Sequence, residues 1–224
     1  MLLASCRSNI DNQFTIDGRI DGAEEGEMIC LSYPIKQGEI WKWQRDTTYI
    51  SEERFCFRGC IDDLRAASLS FPNMDYVNLY IEPARIAFKS KRNALYDYTL
   101  QGLSVDNELA EYRNTFGELE RELWSNHHSL QRKNEEWIAA YNSGAEDYQE
   151  PMAEFYALVA EHRTMNHRWT SLAAEFVQAH PHYKITPSIL EDLVTQGCDV
   201  VLNNEYSGTM GELLSLRHEI VKSC

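Results

Sequence analysis

Residues 46–59, DTTYISEERFCFRG, contain the pattern that decides the fold of the N-terminal half of the chain. Thr47 to Ile50 are β-branched or aromatic, Ser51 to Arg54 are polar, and Phe55 and Phe57 are two residues apart. Side chains of a strand alternate between its two faces, so the two phenylalanines share one face. The stretch predicts a strand, a short polar turn and a second strand, arranged as a hairpin.

The sequence on both sides of this stretch, from residue 13 to residue 103, has the same character. Short alternating segments are separated by turn residues such as Asp21-Gly22, Gln37-Gly38 and Pro72-Asn73, and Pro34 is expected to end the second strand. Strands at this spacing predict an antiparallel β-sandwich or barrel. The other predicted strands are Phe14–Gly18, Met28–Tyr33, Ile40–Trp43, Ala66–Phe71, Tyr76–Glu82, Arg85–Lys89 and Tyr98–Leu103.

The period changes at Ser104, so residues 104–224 are expected to form an antiparallel helical array and the chain to be an α+β protein. Ser104 or Asp106 is expected to cap the first helix, whose apolar stripe runs from Leu109 to Leu123. Further helices are expected from Pro187 and over residues 213–221. The clearest helix spans Gln149–Ala179, where a heptad seam joins Met152, Phe155, Val159, His162, Asn166, Trp169, Ala173 and Phe176.

The sequence disfavours nucleic acid as a partner but is compatible with a second copy of the chain. The 224 residues carry a formal net charge of −14, which disfavours binding to a nucleic-acid backbone. There is no apolar stretch of 18 residues or more, so no segment of the printed chain is expected to span a membrane. The heptad seam is compatible with a homodimer, and equally with packing inside one chain.

The N-terminus predicts a lipid anchor. Leu3-Ala4-Ser5-Cys6 resembles a bacterial lipobox, and residues 1–12 are interpreted as a lipobox remnant and tether. Acylation of Cys6 would hold the protein at a membrane surface of the cell envelope, facing the periplasm or the cell surface. Cys56 and Cys60 lie about 13 Å apart along a strand, too far for a disulfide, and are expected to be small buried hydrophobic residues.

The layout resembles a known family, the N-terminal domain of unknown function that precedes a thioredoxin-like domain of the alkyl-hydroperoxide-reductase type in Gram-negative lipoproteins. The resemblance covers nearly all of residues 13–222, including the step into the helices at Leu100–Asn107 and the turn at His180-Pro181. Its remaining motifs are Phe14-Thr15-Ile16-Asp17-Gly18, Asp46-Thr47-Thr48, Phe55-Cys56-Phe57-Arg58-Gly59 and Tyr80-Ile81-Glu82-Pro83. The W-C-x-x-C motif of the thioredoxin domain does not occur in the chain. The resemblance therefore implies an accessory domain without redox activity.

Few residues qualify as site residues. The seven histidines form no H-x-x-x-H or H-E-x-x-H pair, and no phosphate-binding glycine motif or nucleophile elbow occurs, so no metal, cofactor or catalytic residue is predicted. His162 lies on the heptad seam and is expected to be partly buried. Trp41 and Trp43, with Arg45 next along the same side of a strand, form a candidate ligand surface for a sugar or an apolar peptide.

Three functions fit these observations. The first is a non-catalytic envelope lipoprotein that acts as a binding or scaffolding module and contacts another envelope protein, such as a thioredoxin-like partner. The second is the N-terminal part of a thiol-disulfide oxidoreductase without its catalytic domain. The third is a glycan- or peptide-binding lipoprotein that uses Trp41 and Trp43.

Overall fold

The computed structural model describes residues 12–38, 40–72, 75–144 and 147–193. The chain divides into two compact units, Met1–Glu108 and Leu109–Cys224, close to the expected boundary between residues 103 and 104. The first unit is built from strands and the second from helices, which confirms the α+β class. Cys6 and the helix expected over residues 213–221 lie outside the described residues.

The strands of the first unit form two four-stranded sheets, ordered β4-β1-β7-β8 and β3-β2-β5-β6. Neighbouring strands run antiparallel except β1 and β7, which run parallel, so the expectation of purely antiparallel pairing was wrong for this pair. Parallel neighbours need a long crossover, and here β2 to β6, including all four strands of the other sheet, lie between β1 and β7 in the chain. The strands are β1 Gln13–Asp21, β2 Met28–Gln37, β3 Ile40–Tyr49, β4 Arg54–Cys60, β5 Arg65–Ser70, β6 Tyr76–Ile81, β7 Arg85–Lys91 and β8 Ala94–Gln101.

The predicted hairpin over residues 46–59 exists for one residue pair only. Ser51 and Arg54 exchange backbone hydrogen bonds of 2.9 Å, and Glu52 and Glu53 between them both have positive φ. Positive φ at both central residues is typical of the type I′ turn of a tight hairpin. Beyond this pair the strands separate, because β3 pairs with β2 and β4 pairs with β1. The stretch therefore connects the two sheets instead of forming a hairpin within one.

Two strand boundaries also differ from the prediction. Pro34 does not end β2, which continues to Gln37 and pairs with β3 along its whole length. Pairing between β2 and β5 involves only residues 30–32, so Pro34 lies where β2 has one described neighbour, a position that tolerates a missing N–H. The strand expected to end at Trp43 likewise continues to Tyr49 as one element.

Side chains alternate between buried and exposed along β1, β4 and β7, as a period of two requires. Inside the unit, Phe14 of one sheet meets Tyr33 of the other edge-on, with 5.3 Å between ring centroids. Two motif glycines make room for these rings. A Cβ atom at Gly18 would overlap the ring of Phe55, and one at Gly59 would lie 2.6 Å from the ring of Phe14.

Two carboxylates stabilise the segment between the last strand and the first helix. Glu82 is buried and accepts hydrogen bonds from the backbone N–H and the hydroxyl of Ser104. Asp106 accepts from the N–H groups of Gly102 and Leu103, at 3.0 and 3.2 Å. Both amides precede the helix. The acid fixes the approach of the chain to the helix.

The second unit contains two long helices, α1 Asp106–Asn142 and α2 Gln149–Ala179, and a helical segment at 186–193. The early α1 residue Phe116 lies 5.9 Å from the late α2 residue Trp169, whereas the late Trp137 lies 6.2 Å from the early Phe155. These ring contacts show that the two helices run antiparallel. The heptad seam of α2 faces α1 of the same chain, and the described bounds of α2 confirm the prediction.

Candidate functional site

The outer side of β3 is lined with exposed aromatic side chains. Trp41, Trp43 and Tyr49 are 51%, 68% and 63% exposed, although they belong to the middle and end of a sheet strand. All three have odd numbers and therefore share one face, with Arg45 between them. The opposite face points inward, where the Asp46 carboxylate accepts hydrogen bonds from Tyr33 at 2.7 Å and Gln44 at 2.8 Å.

The register of β2 and β3 extends this surface sideways. Tyr49 pairs with Met28, whose side chain is also exposed, and Trp43 pairs with Pro34. We call the surface formed by Met28, Trp41, Trp43, Arg45 and Tyr49 the aromatic face. Exposed apolar groups that adjoin one another in this way mark interaction sites more often than isolated ones do.

Cations accompany the indoles of the aromatic face. The Arg65 guanidinium lies 5.0 Å from the centroid of the Trp41 ring, within the range of a cation–π contact. The Lys36 side chain is exposed on the same face, because Lys36 pairs with Trp41, whereas the Lys42 ammonium donates to Gln37 at 2.6 Å on the opposite face of the hairpin. Arg45 is exposed, and its cross-strand partner is the small residue Ser32. The face therefore offers large flat apolar groups beside positive charge.

Sequence reasoning placed Trp41, Trp43 and Arg45 on one side of a strand, and the structure brings them together there. It missed Tyr49 and Met28. The signal for Tyr49 was present, since a period of two from Trp41 reaches it, but the strand had been divided at Trp43. Met28 needs the register between β2 and β3, which a single strand's pattern does not contain.

A second exposed apolar cluster lies at the end of the α1–α2 hairpin. Ile138, Tyr141 and Tyr156 have exposed side chains, and we call these three residues the helical tip. The Tyr141 ring lies 5.4 Å edge-on from Tyr148, and Tyr156 lies 5.4 Å from the partly buried Phe155. Each of the two tyrosines therefore packs against a neighbouring ring while more than half of its surface is exposed.

Polar groups at the α1–α2 interface form a small network around His162. The buried Asn126 shares a 2.8 Å hydrogen bond with the Nδ1 atom of His162 and donates to the carbonyl of Leu158 at 3.4 Å. His162 is partly buried, as its place on the seam predicted. Burial, together with the nearby His127, lowers the pKa of His162 below its usual value. The network positions one helix against the other.

This shift predicts a pH dependence of stability. A histidine whose pKa is lowered on folding binds protons more readily in the unfolded chain, so the folded state loses stability as the pH falls through the unfolded value of about 6.5. We expect the stability of the native chain relative to His162→Gln to fall between pH 7.5 and pH 5.5. Urea unfolding of both proteins at the two pH values measures it, with His182→Gln, at an exposed histidine, as the control. An equal loss of stability in the native and His162→Gln proteins would contradict the assignment of this pH dependence to His162.

The second unit also contains a partly buried acid that the sequence did not single out. Burial raises the pKa of the Glu120 carboxyl, while Tyr112 donates to it at 2.6 Å and opposes that shift. Tyr183 likewise donates to Glu111 at 2.5 Å, and His180 lies 3.3 Å from the other oxygen of Glu111. These contacts join α1 to the turn after α2, so they explain the place of His180 in the fold.

The remaining candidate groups have structural roles or lie elsewhere. Cys56 and Cys60 form no disulfide, as their spacing predicted, but Cys56 is exposed and Cys60 is only partly buried, so the expectation that both would be buried was wrong. Cys198 lies outside the described residues. Within the described part of the chain, no cluster of three or more His, Cys, Asp or Glu side chains is arranged to hold a metal ion. None of the helices described combines the length and apolar character needed to cross a bilayer.

Comparison with known proteins finds no family model that matches the chain, and no match among curated proteins or solved structures. The fold and the site define the chain as an α+β protein of two units, each with an exposed apolar surface.

Proposed function

We propose that this chain is a non-catalytic binding or scaffolding module of the cell envelope, held at a membrane surface through acylated Cys6. In this proposal the two sheets form a β-sandwich and the helices form an antiparallel array. The envelope location, the lipid anchor and the accessory role rest on the lipobox pattern and on the family resemblance of residues 13–222.

The observation that carries the binding role is the exposure of large apolar side chains in both units. Trp41 and Trp43 in the first unit and Tyr141 and Tyr156 in the second are each at least half exposed. Exposing such groups to water is unfavourable by about 25 cal/mol per Å² of apolar surface, and contiguous exposed clusters mark contact sites. A chain with one such surface in each unit is suited to connect two components.

The helical tip is the surface that we assign to a protein partner. Tyrosine is enriched in protein interfaces because one side chain supplies both apolar area and a hydroxyl. The proposed partner is an envelope protein with a thioredoxin-like fold, encoded separately. The aromatic face, with its cations, has a different chemistry and is treated separately below.

Crosslinking in the native envelope tests the proposed function. We expect the lipidated chain to capture a thioredoxin-fold protein as its dominant partner, and Tyr141→Ser/Tyr156→Ser to reduce that capture at least tenfold, the size of a hot-spot effect of about 1.4 kcal/mol. Trp41→Ala/Trp43→Ala is the matched control, since it also removes two exposed aromatic side chains.

Other outcomes of the capture separate the alternatives. No partner above background in any variant would contradict the scaffolding role. Capture of a polysaccharide-handling complex that depends on Trp41 and Trp43 would favour the glycan- or peptide-binding function instead. A thioredoxin sequence directly after Cys224 in the same reading frame would establish the oxidoreductase alternative.

A further inference from the structure

The outer end of the β2–β3 hairpin stands apart from the rest of its sheet. Among the described residues, β2 pairs with β5 only at Cys30–Ser32, whereas β2 and β3 pair from Met28 to Gln37. Residues 33–37 are therefore in a two-stranded ribbon, which turns at Gly38 with a positive φ of 67°. We call residues 34–45 the ribbon end. Its outer side and its turn have no described strand beside them.

The ribbon end combines bulky apolar groups with cations. Trp41 and Trp43 are exposed on one face of β3, and Ile40, 64% exposed, lies on the opposite face. Lys36 pairs with Trp41 across the two strands and shares the face of the two indoles with Arg45, whereas Lys42 lies on the opposite face of β3. With Arg45, the sequence of residues 34–45 contains three cations and a single acid, Glu39, in a chain whose net charge is −14.

The charge of this segment is of opposite sign to that of the whole chain. At physiological ionic strength charges are screened beyond about 8 Å, so a surface that meets the ribbon end senses its local cations more than the distant acids. Neither Lys36 nor Arg45 has a carboxylate partner among the described residues. Both charges are therefore available to an anionic surface.

Three occupants are compatible with exposed indoles, and the charges distinguish between them. A neutral glycan stacks on the rings but makes no use of the two cations beside them. A second copy of this chain, joined through the same face, would bring Arg45 and Lys36 of one protomer towards those of its partner, which is repulsive. An anionic lipid surface satisfies both features, since tryptophan prefers the headgroup level and lysine extends its ammonium to the phosphates.

We propose that the ribbon end docks onto an anionic membrane surface, with Trp41 and Trp43 at the headgroup level and Lys36 and Arg45, on the same face, on lipid phosphates. This contact does not require acylation of Cys6. It rests on the proposed envelope location, and it would orient an anchored chain as well as tether it.

Vesicle co-sedimentation of the unacylated full chain tests this. We expect binding to vesicles of phosphatidylcholine with phosphatidylglycerol, weaker binding to phosphatidylcholine alone, and loss of the difference at high salt. Removing two cations in Lys36→Gln/Arg45→Gln lowers the partition coefficient about tenfold or more, because each cation near an anionic surface contributes about one factor of five. Trp41→Ala/Trp43→Ala lowers it as well.

Fluorescence supplies a local readout. Trp41 and Trp43 are exposed in the free chain, so their emission shifts to the blue when anionic vesicles are added, and brominated lipid quenches it. The shift disappears in Trp41→Ala/Trp43→Ala and persists in Tyr141→Ser/Tyr156→Ser, the control with two other exposed rings removed. Circular dichroism confirms that each variant is folded.

Several results would overturn the proposal: equal partition onto neutral and anionic vesicles, no binding to either, or binding that neither ribbon variant changes. Glycan-panel binding that depends on Trp41 and Trp43, without vesicle binding, would assign the face to a sugar. The partner capture that depends on the helical tip is measured separately, so failure of lipid docking and failure of the scaffolding role are distinguishable.

Discussion

Replacing Arg92 by methionine is expected to destabilise the first unit by about 3–5 kcal/mol. Arg92 lies in the turn between β7 and β8 and makes two ion pairs, from Nε to Glu27 at 2.9 Å and from Nη1 to Asp75 at 2.8 Å. The Glu27 side chain is only 7% exposed and that of Asp75 only 12%. Its guanidinium also lies 5.6 Å from the centroid of the Phe71 ring.

The loss is large because the substitution leaves buried charge without compensation. Methionine keeps much of the apolar stem of Arg92 but removes the cation. Oε2 of Glu27 is buried and has no hydrogen-bond partner among the described residues, so this carboxylate depends on Arg92 through its other oxygen. Removing one partner of a buried pair costs far more than the pair contributes, since desolvation of the remaining charge is no longer offset.

The exposed pair between Arg85 and Asp17 provides the matched control. Its Nε–Oδ2 distance is also 2.8 Å, but the Arg85 side chain is 83% exposed. Arg85→Met should change stability little, because solvent screens surface pairs. Urea unfolding and amide hydrogen exchange of β1 and β2 measure both variants. Arg92→Met/Glu27→Gln/Asp75→Asn should recover part of the loss, whereas equal effects of Arg92→Met and Arg85→Met would refute the role given to burial.

The Arg92 cluster also illustrates what the sequence does not contain. Arg92, Glu27 and Asp75 come from three separate connections between strands, and each is an ordinary surface type of residue in its own segment. No periodic pattern links them. Their contact follows from the way the two sheets are assembled, which a one-dimensional pattern does not specify.

Local periodicity, by contrast, predicted the elements well. The heptad seam located α2 at Gln149–Ala179, and alternation located most strands to within a few residues. Both patterns reflect which side of an element is buried, because apolar residues recur at the positions that pack into the core. The seam also predicted the partly buried His162, although not its hydrogen bond to Asn126.

Periodicity did not predict which strands pair with one another. The turn at Glu52 and Glu53 has positive φ without glycine or asparagine, so its type was not marked by composition. Side chains hold it, since Glu25 accepts from the N–H of Glu52 at 2.8 Å and Glu53 accepts from that of Gly22 at 2.9 Å. Likewise, alternation placed Trp41 and Trp43 on one side, but it did not show whether that side of the sheet is covered or exposed.

Gly18→Ala is expected to destabilise the first unit by about 1–3 kcal/mol, the usual effect of overpacking a core. Gly18 of β1 lies opposite Phe55 of β4, and the added methyl group would occupy the space of the Phe55 ring. The arrangement is reciprocal, because Phe14 of β1 covers Gly59 of β4 four residues along. Each ring shields a stretch of backbone that has no side chain of its own.

The Phe55 ring has little room to move aside. It is 5% exposed, and its centroid lies 5.7 Å from that of Phe57 and 5.8 Å from that of Phe88. Displacing it would disturb both neighbours. Alanine in place of glycine also restricts the unfolded chain, a gain of about 0.4–1 kcal/mol that only partly offsets the overlap.

A double-mutant cycle distinguishes this overlap from a general effect of alanine. Phe55→Leu shortens the side chain that meets the new methyl group, so Gly18→Ala/Phe55→Leu should lose less stability than the two single losses together, by about 0.5–3 kcal/mol. Gly117→Ala, in the interior of α1 where an added Cβ meets nothing within 4 Å, should instead stabilise by up to about 1 kcal/mol. If the losses of stability in Gly18→Ala and Phe55→Leu simply add, the glycine is required for some reason other than the Phe55 ring. The packing of each ring over a glycine of the other strand would then not be what stabilises the contact between β1 and β4.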